Sequence, residues 1–133
     1  MPVQGFAHYN IRVDRPLMEV LRAFYTDVVG LCAGPRPAFE SFGYWLYAGE
    51  QDVLHLSERL AHEPHRESRS TLDHIALACI DWPWHQARLQ RAGLAYTLDH
   101  VPGSGRLQVF CQDPAGHGIE LTFPPGSTAG VMP

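Results

Sequence analysis

The sequence predicts an α+β protein built from one β-α-β-β-β unit used twice. Three observations carry this. Two stretches far apart in the chain repeat each other, apolar residues alternate in short runs and recur at helical spacing in two longer ones, and turn-forming residues punctuate both halves in the same order. The repeat is the firmest of these, and repeats are to be sought before folds. FAHYNIRVDRPL (6–17) and LDHIALACIDWPW (72–84) each run apolar residue, one residue, histidine, alternating strand, then Asp-x-Pro. His8 aligns with His74 at an offset of 66, and Asp14-Arg15-Pro16 with Asp81-Trp82-Pro83 at 67. VLHLS (53–57) aligns with GIELT (118–122), placing His55 on Glu120 at an offset of 65. Three anchors that drift by one residue each imply two similar halves.

In the first half, residues 5–13 alternate as a strand. Pro16 suits the first turn of a helix, and Leu17, Leu21, Phe24 and Val28 follow at helical spacing up to a stop at Gly30. Three extended pieces come next, at 36–39, 43–48 and 52–57, with the turn-like AGEQ between the last two. In the second half a strand covers 72–80, and a helix runs over 82–92 from Asp81 to Gly93. Strands follow at 95–100, 106–112 and 117–123, with DPAGHG (113–118) as the last turn. Module one is therefore 5–57 and module two 72–123, within a single domain over 1–133. The stretch 58–71, ERLAHEPHRESRST, is a polar linker, and the Pro/Gly-rich tail 124–133 is loose.

Composition narrows the function. With 45% hydrophobic and 18% charged residues the chain is globular. A net charge of −4 argues against nucleic acid or an anionic membrane as partner. All ten basic residues are arginine, so Schiff-base and P-loop lysine chemistry are excluded. No apolar run approaches a membrane span, and MPVQGFAHYN lacks the pattern of a signal peptide. Cys32, Cys79 and Cys111 are scattered and odd in number, which predicts small buried apolar groups in a reducing cytoplasm.

Strand parity selects the candidate residues. Side chains alternate across a strand. His8, Asn10 and Arg12 share one face of the first strand; Val53, His55 and Ser57 oppose Leu54 and Leu56; Gly118, Glu120 and Thr122 oppose Ile119, Leu121 and Phe123. The apolar set packs under a helix in each case, so the polar set faces away from it. A buried polar side chain is costly without a partner. A single strand histidine is usually a hydrogen-bonded structural residue, but equivalent positions in duplicated units shift the balance toward metal ligation. His62, His65, His85, His100 and His117 lie in the linker, on a helix or near turns, and carry no such argument.

FYTDVVGL after the first strand and DPAGHGIELTF at the end complete a pattern that resembles the vicinal oxygen chelate superfamily. That group includes glyoxalase I, fosfomycin-resistance, bleomycin-resistance and extradiol dioxygenase proteins. The resemblance spans about residues 5–123 and rests on a histidine opening each half, FY-x-D-x-x-GL, and DP-x-G-x-x-x-EL. It implies a glyoxalase-like fold, with two βαβββ modules forming a curved mixed sheet around a metal-binding cleft. Carried over residue by residue, the ligands of one divalent ion (Zn, Ni, Co, Fe or Mn) are His8, His55, His74 and Glu120. It also implies a homodimer. Asn10, Arg12, Trp45 and Phe110 are assigned to the substrate. Trp45 and Phe110 each stand ten residues before a ligand, and Arg12 either binds an anionic group or pairs with a carboxylate.

A divalent cation with open positions can hold two adjacent oxygens of a small substrate and stabilise an enediolate-type anion. Glu120, both ligand and proton shuttle, is then the catalytic residue of a lyase or isomerase. His55 stands where such enzymes carry a second glutamate, which argues against a two-base mechanism. Extradiol cleavage by His8, His74 and Glu120 is the alternative, though His55 fills a position that chemistry needs. Fosfomycin-type thiol transfer ranks lower because the chain has no lysine. The non-enzymatic alternative is a drug-binding resistance protein, against which the complete ligand set argues.

Overall fold

The computed structural model describes residues 2–66 and 70–127. The chain divides into two compact units, residues 1–66 and 67–133. The first contains β1 (Tyr9–Val13), α1 (Arg15–Ala23), a π-helical continuation (Phe24–Val29), β2 (Cys32–Gly34), β3 (Gly43–Ala48) and β4 (Gln51–Glu58). The second contains β5 (Ile75–Ala78), α2 (Trp82–Arg91), β6 (Thr97–His100), β7 (Leu107–Gln112) and β8 (Gly118–Phe123). Each unit has one four-stranded mixed sheet, in the orders β1-β4-β3-β2 and β5-β8-β7-β6. In each, the outer first strand runs parallel to the last and the remaining pairs are antiparallel. The β-α-β-β-β order expected of both halves is the order found.

Alternation divides each sheet between a core face and a polar face. In the first unit, cross-strand rows Tyr9–Leu54–Leu46 and Ile11–Leu56–Tyr44 lie on the side of α1. Leu46, Leu54 and Leu56 are fully buried there with Met18, Leu21 and Tyr25. Helical spacing was expected to bury Leu17, but Met18 is the buried neighbour and Leu17 is partly exposed. The helix then widens into a π turn. Its six residues bury Phe24, Tyr25, Val28 and Val29, and Gly30 closes it at φ 98° with its N–H on the Tyr25 carbonyl. In the second unit Ile119, Leu121 and Phe123 are buried with Leu107, Val109, Trp82 and Leu89. Trp82 and His85 of α2 meet the Phe123 ring at 5.6 and 5.2 Å.

Helix starts follow the two Asp-x-Pro motifs, with a difference. Asp81 caps α2, accepting from the Trp84 N–H at 3.2 Å from a left-handed backbone conformation. Asp14 makes no cap. Its carboxylate accepts from Arg59 Nε at 2.8 Å instead.

Several expectations are corrected. The strand expected at 36–39 is displaced to 32–34, because Pro35 and Pro37 remove two backbone donors. There the Phe39 N–H turns back onto the Pro37 carbonyl at 2.8 Å, and Arg36 Nη1 donates to the Ser41 carbonyl at 2.9 Å. The opening strands are shorter than alternation suggests, starting at Tyr9 and Ile75, so His8 and His74 immediately precede them. Residues 59–63, expected as solvated linker, are tied to the first unit. The Arg59 N–H donates to the Val13 carbonyl at 2.9 Å, and Arg12 Nη1 to Glu63 Oε1 at 3.0 Å. Of the linker, 67–69 lie outside the described residues, as do 128–133 of the expected loose tail. Cys111 is buried and Cys79 partly so, but Cys32 sits exposed on the edge strand β2 rather than in a core.

Leu56→Ala removes packing from both α1 and the β1–β4–β3 row, and is expected to cost ~2–5 kcal/mol by urea denaturation. A polar contact also ties α1 to β3: Tyr44 Oη donates to Glu19 Oε1 at 2.6 Å. That hydrogen bond, helped by Arg22, holds Glu19 below the usual carboxylate range. A depressed folded pKa gives stability that is present above the unfolded value near 4.5 and lost as pH falls through the folded one. Tyr44→Phe is therefore expected to raise the Glu19 midpoint in an NMR titration and to reduce this acid-side loss of stability.

Candidate functional site

The polar faces carry the candidate residues. In the first unit His55 is the middle of a cross-strand row, Asn10–His55–Trp45. His55 is 8% exposed, and its imidazole lies between two rings. Trp45 stacks on one side at 4.1 Å and 8°, and His8 on the other at 3.8 Å and 14°. With both ring faces covered, bonding is left to the ring edge. There Nε2 meets Asp52 Oδ2 at 2.6 Å. The same contact holds Asp52 below the ordinary carboxylate range. One donor atom from each of His8, Asp52 and His55 lies within 4.8 Å of the others.

Asp52 escaped the sequence reading for a structural reason. Strict alternation assigns it to the helix side with Leu54 and Leu56. The β3–β4 ladder shifts register between Leu46 and Ala48, so Asp52 and Val53 together oppose Tyr47. This bulge turns Asp52 to the side of His55. The available signal was an acidic residue three positions before a candidate histidine.

Neighbouring polar groups extend the row. Ser57 Oγ donates to Asn10 Oδ1 at 2.8 Å and accepts from Arg12 Nε at 3.2 Å. Arg12 is paired with Glu63, so of the two roles open to it the carboxylate pair is present here.

In the second unit the equivalent row is Ala76–Glu120–Phe110. Phe110 thus opposes Glu120 as Trp45 opposes His55. Glu120 is 7% exposed. Its Oε1 lies 3.2 Å from His74 Nε2, and Oε2 is 3.5 Å from Gln108 Nε2. The other ring nitrogen of His74, Nδ1, meets Asp73 Oδ2 at 2.8 Å, and Phe110 sets its edge toward the imidazole at 5.8 Å. Gly118 makes this approach feasible, since a Cβ there would fall 2.3 Å from the Asp73 carbonyl oxygen. Asp73 and Gln108 were not among the sequence candidates. The proximity of Asp73 to His74 in the chain was the cue for the first, and strand parity for the second.

Both groups suit a divalent transition metal. Two atoms bound to one ion at about 2.0–2.2 Å lie roughly 3–4 Å apart. The His74–Glu120 separation of 3.2 Å has that value. Imidazole with carboxylate is the donor mixture such ions take, and the Asp73 contact at Nδ1 of His74 orients the ring with Nε2 toward Glu120.

No family model matches the sequence, and no curated protein matches it. Solved structures do. A glyoxalase family protein from Bacillus anthracis is 22% identical at a TM-score of 0.68, over 92% of this chain and 96% of that one. A glyoxalase/bleomycin resistance protein/dioxygenase domain from Frankia sp. EAN1pec is 17% identical at 0.69, over 93% and 94%. The chain has the glyoxalase-like fold. A lactoylglutathione lyase from Agrobacterium tumefaciens shares that fold, 20% identical at a TM-score of 0.63, over 98% and 99% of the two chains.

The His74 pKa is raised, first by the Asp73 hydrogen bond and then by Glu120, against a lowering by desolvation. A raised histidine contributes stability that is full below its unfolded value of 6.5 and is lost as pH rises through the folded one. Asp73→Asn is expected to move the His74 midpoint down in an NMR titration of the metal-free protein.

Proposed function

We propose that this protein is a glyoxalase-like enzyme, a lyase or isomerase that uses one divalent transition metal to act on a small oxygenated substrate. The ligands are His8 and His55 of the first unit and His74 and Glu120 of the second. The supporting observation is that equivalent cross-strand rows carry His55 and Glu120, each with a histidine beside it and an aromatic residue opposite.

When bound, the ion supplies a Lewis acid for two adjacent substrate oxygens and for negative charge developing on them. The protein's own groups do the rest. Glu120, nearly buried and beside His74, is the candidate base and holds the transferred proton on its carboxylate. Asp73 keeps the His74 ring oriented. Trp45 and Phe110 present aromatic surface to the substrate, Asn10 offers an amide, and Arg12 keeps a guanidinium at the margin. A second copy of the chain is the expected partner. Three free cysteines, with burial pushing the Cys79 and Cys111 thiols up to about 11, suit a reducing cytoplasm.

Metal analysis with an activity screen over α-ketoaldehyde–thiol adducts, catechols and epoxides tests the reading. The purified protein is expected to hold a transition metal. Glu120→Gln is expected to weaken its hold at least tenfold and to reduce turnover by about 10²-fold or more, as loss of a general base does. A metal-free protein that binds a bulky cationic drug instead would replace the enzyme by a sequestering protein.

A further inference from the structure

We propose that Asp52 is a ligand of this protein's metal, so that the first unit by itself presents a cation-binding set of two imidazoles and one carboxylate: His8, Asp52 and His55. The inference rests on the metal-dependent reading and changes its ligand set. Three observations carry it. The donor atoms of the three residues converge within 4.8 Å. The convergence is built by a backbone device, the β-bulge opposite Tyr47, without which Asp52 would sit with the apolar side chains. Finally, Trp45 and His8 cover the faces of the His55 ring, so an ion reaches it at its edge, where the Asp52 carboxylate already lies.

The arrangement belongs to the first half alone. Three residues before Glu120 stands His117, whose Nδ1 meets Asp113 Oδ2 at 2.8 Å. His8 is exposed and Asp52 partly so, which leaves a route from solvent to the buried His55. Two nitrogens and one oxygen select zinc, cobalt, nickel or iron over calcium or magnesium, which take oxygen ligands.

The test is cobalt titration of the chelator-stripped full chain, followed by calorimetry and absorption. Asp52→Asn, which keeps size and a hydrogen-bond acceptor, is expected to weaken cobalt binding about tenfold or more. The His74→Ala/Glu120→Gln double variant is expected to retain weaker binding that Asp52→Asn then abolishes. Asp52→Cys is expected to add a thiolate-to-cobalt charge-transfer band absent from the parent. Unchanged affinity in Asp52→Asn, or cobalt bound by Asp52→Cys without the new band, overturns this inference and leaves the metal enzyme standing. A parent chain that binds no cobalt overturns both.

Discussion

A strand offers two faces, and in each unit the helix takes one of them. Leu54 and Leu56 are fully buried on the side of α1, and Ile119, Leu121 and Phe123 nearly so on the side of α2. Because the period of a strand is two, fixing the leucines fixes what lies between them. His55 cannot turn to the helix side without exposing Leu54 and Leu56, and Glu120 is held in the same way by Ile119 and Leu121. Hydrophobic burial, of order 25 cal/mol per Å² of apolar surface, thus aims the ionisable groups even though it makes no contact with them. The rows on the other side inherit their alignment from the same ladders, which is why Trp45 and Phe110 stand opposite residues of different chemistry.

That alignment creates a debt in solvation. His55 and Glu120 are each nearly buried, and an ionisable group in that setting requires a partner. The two units answer differently. In the first, aromatic faces enclose the imidazole and a carboxylate takes its edge. In the second, an imidazole and an amide take the two oxygens of the carboxylate. Both answers place donor atoms at separations that a single ion can bridge.

How much of this was legible in the chain depends on whether a feature was local and periodic. The duplicated order, the 43–48 strand, the turn at DPAGHG and the identity of His8, His55, His74 and Glu120 as neighbours within their own halves follow from alternation and repeat. The strand at 32–34 did not, because CAG has no strand propensity of its own and pairs only since β3 lies beside it. Residues 59–63 looked like a solvated linker because their attachment runs through Arg59 and Glu63 to residues 45 and 51 positions earlier. Asp52 was hidden by the rule that found the others. Parity is exact only while the ladder is regular, and a bulge invisible in the sequence reversed it at that one position.

Duplication explains the remaining asymmetry. Two copies of one backbone place side chains in matching rows, yet nothing in the fold requires the rows to match in chemistry. The constraint acts on the apolar face, where substitution opens cavities or forces overpacking. Across the sheet, substitutions are constrained by solvation and not by packing, so a histidine in one half can stand where a glutamate stands in the other. The bulge beside β3 extends this divergence to the backbone. It leaves the leucine face of β4 intact from Leu54 onward and alters only the strand's beginning, where the chain is partly exposed and a changed register costs least. A new carboxylate can therefore enter the first unit without disturbing the core that positions His55.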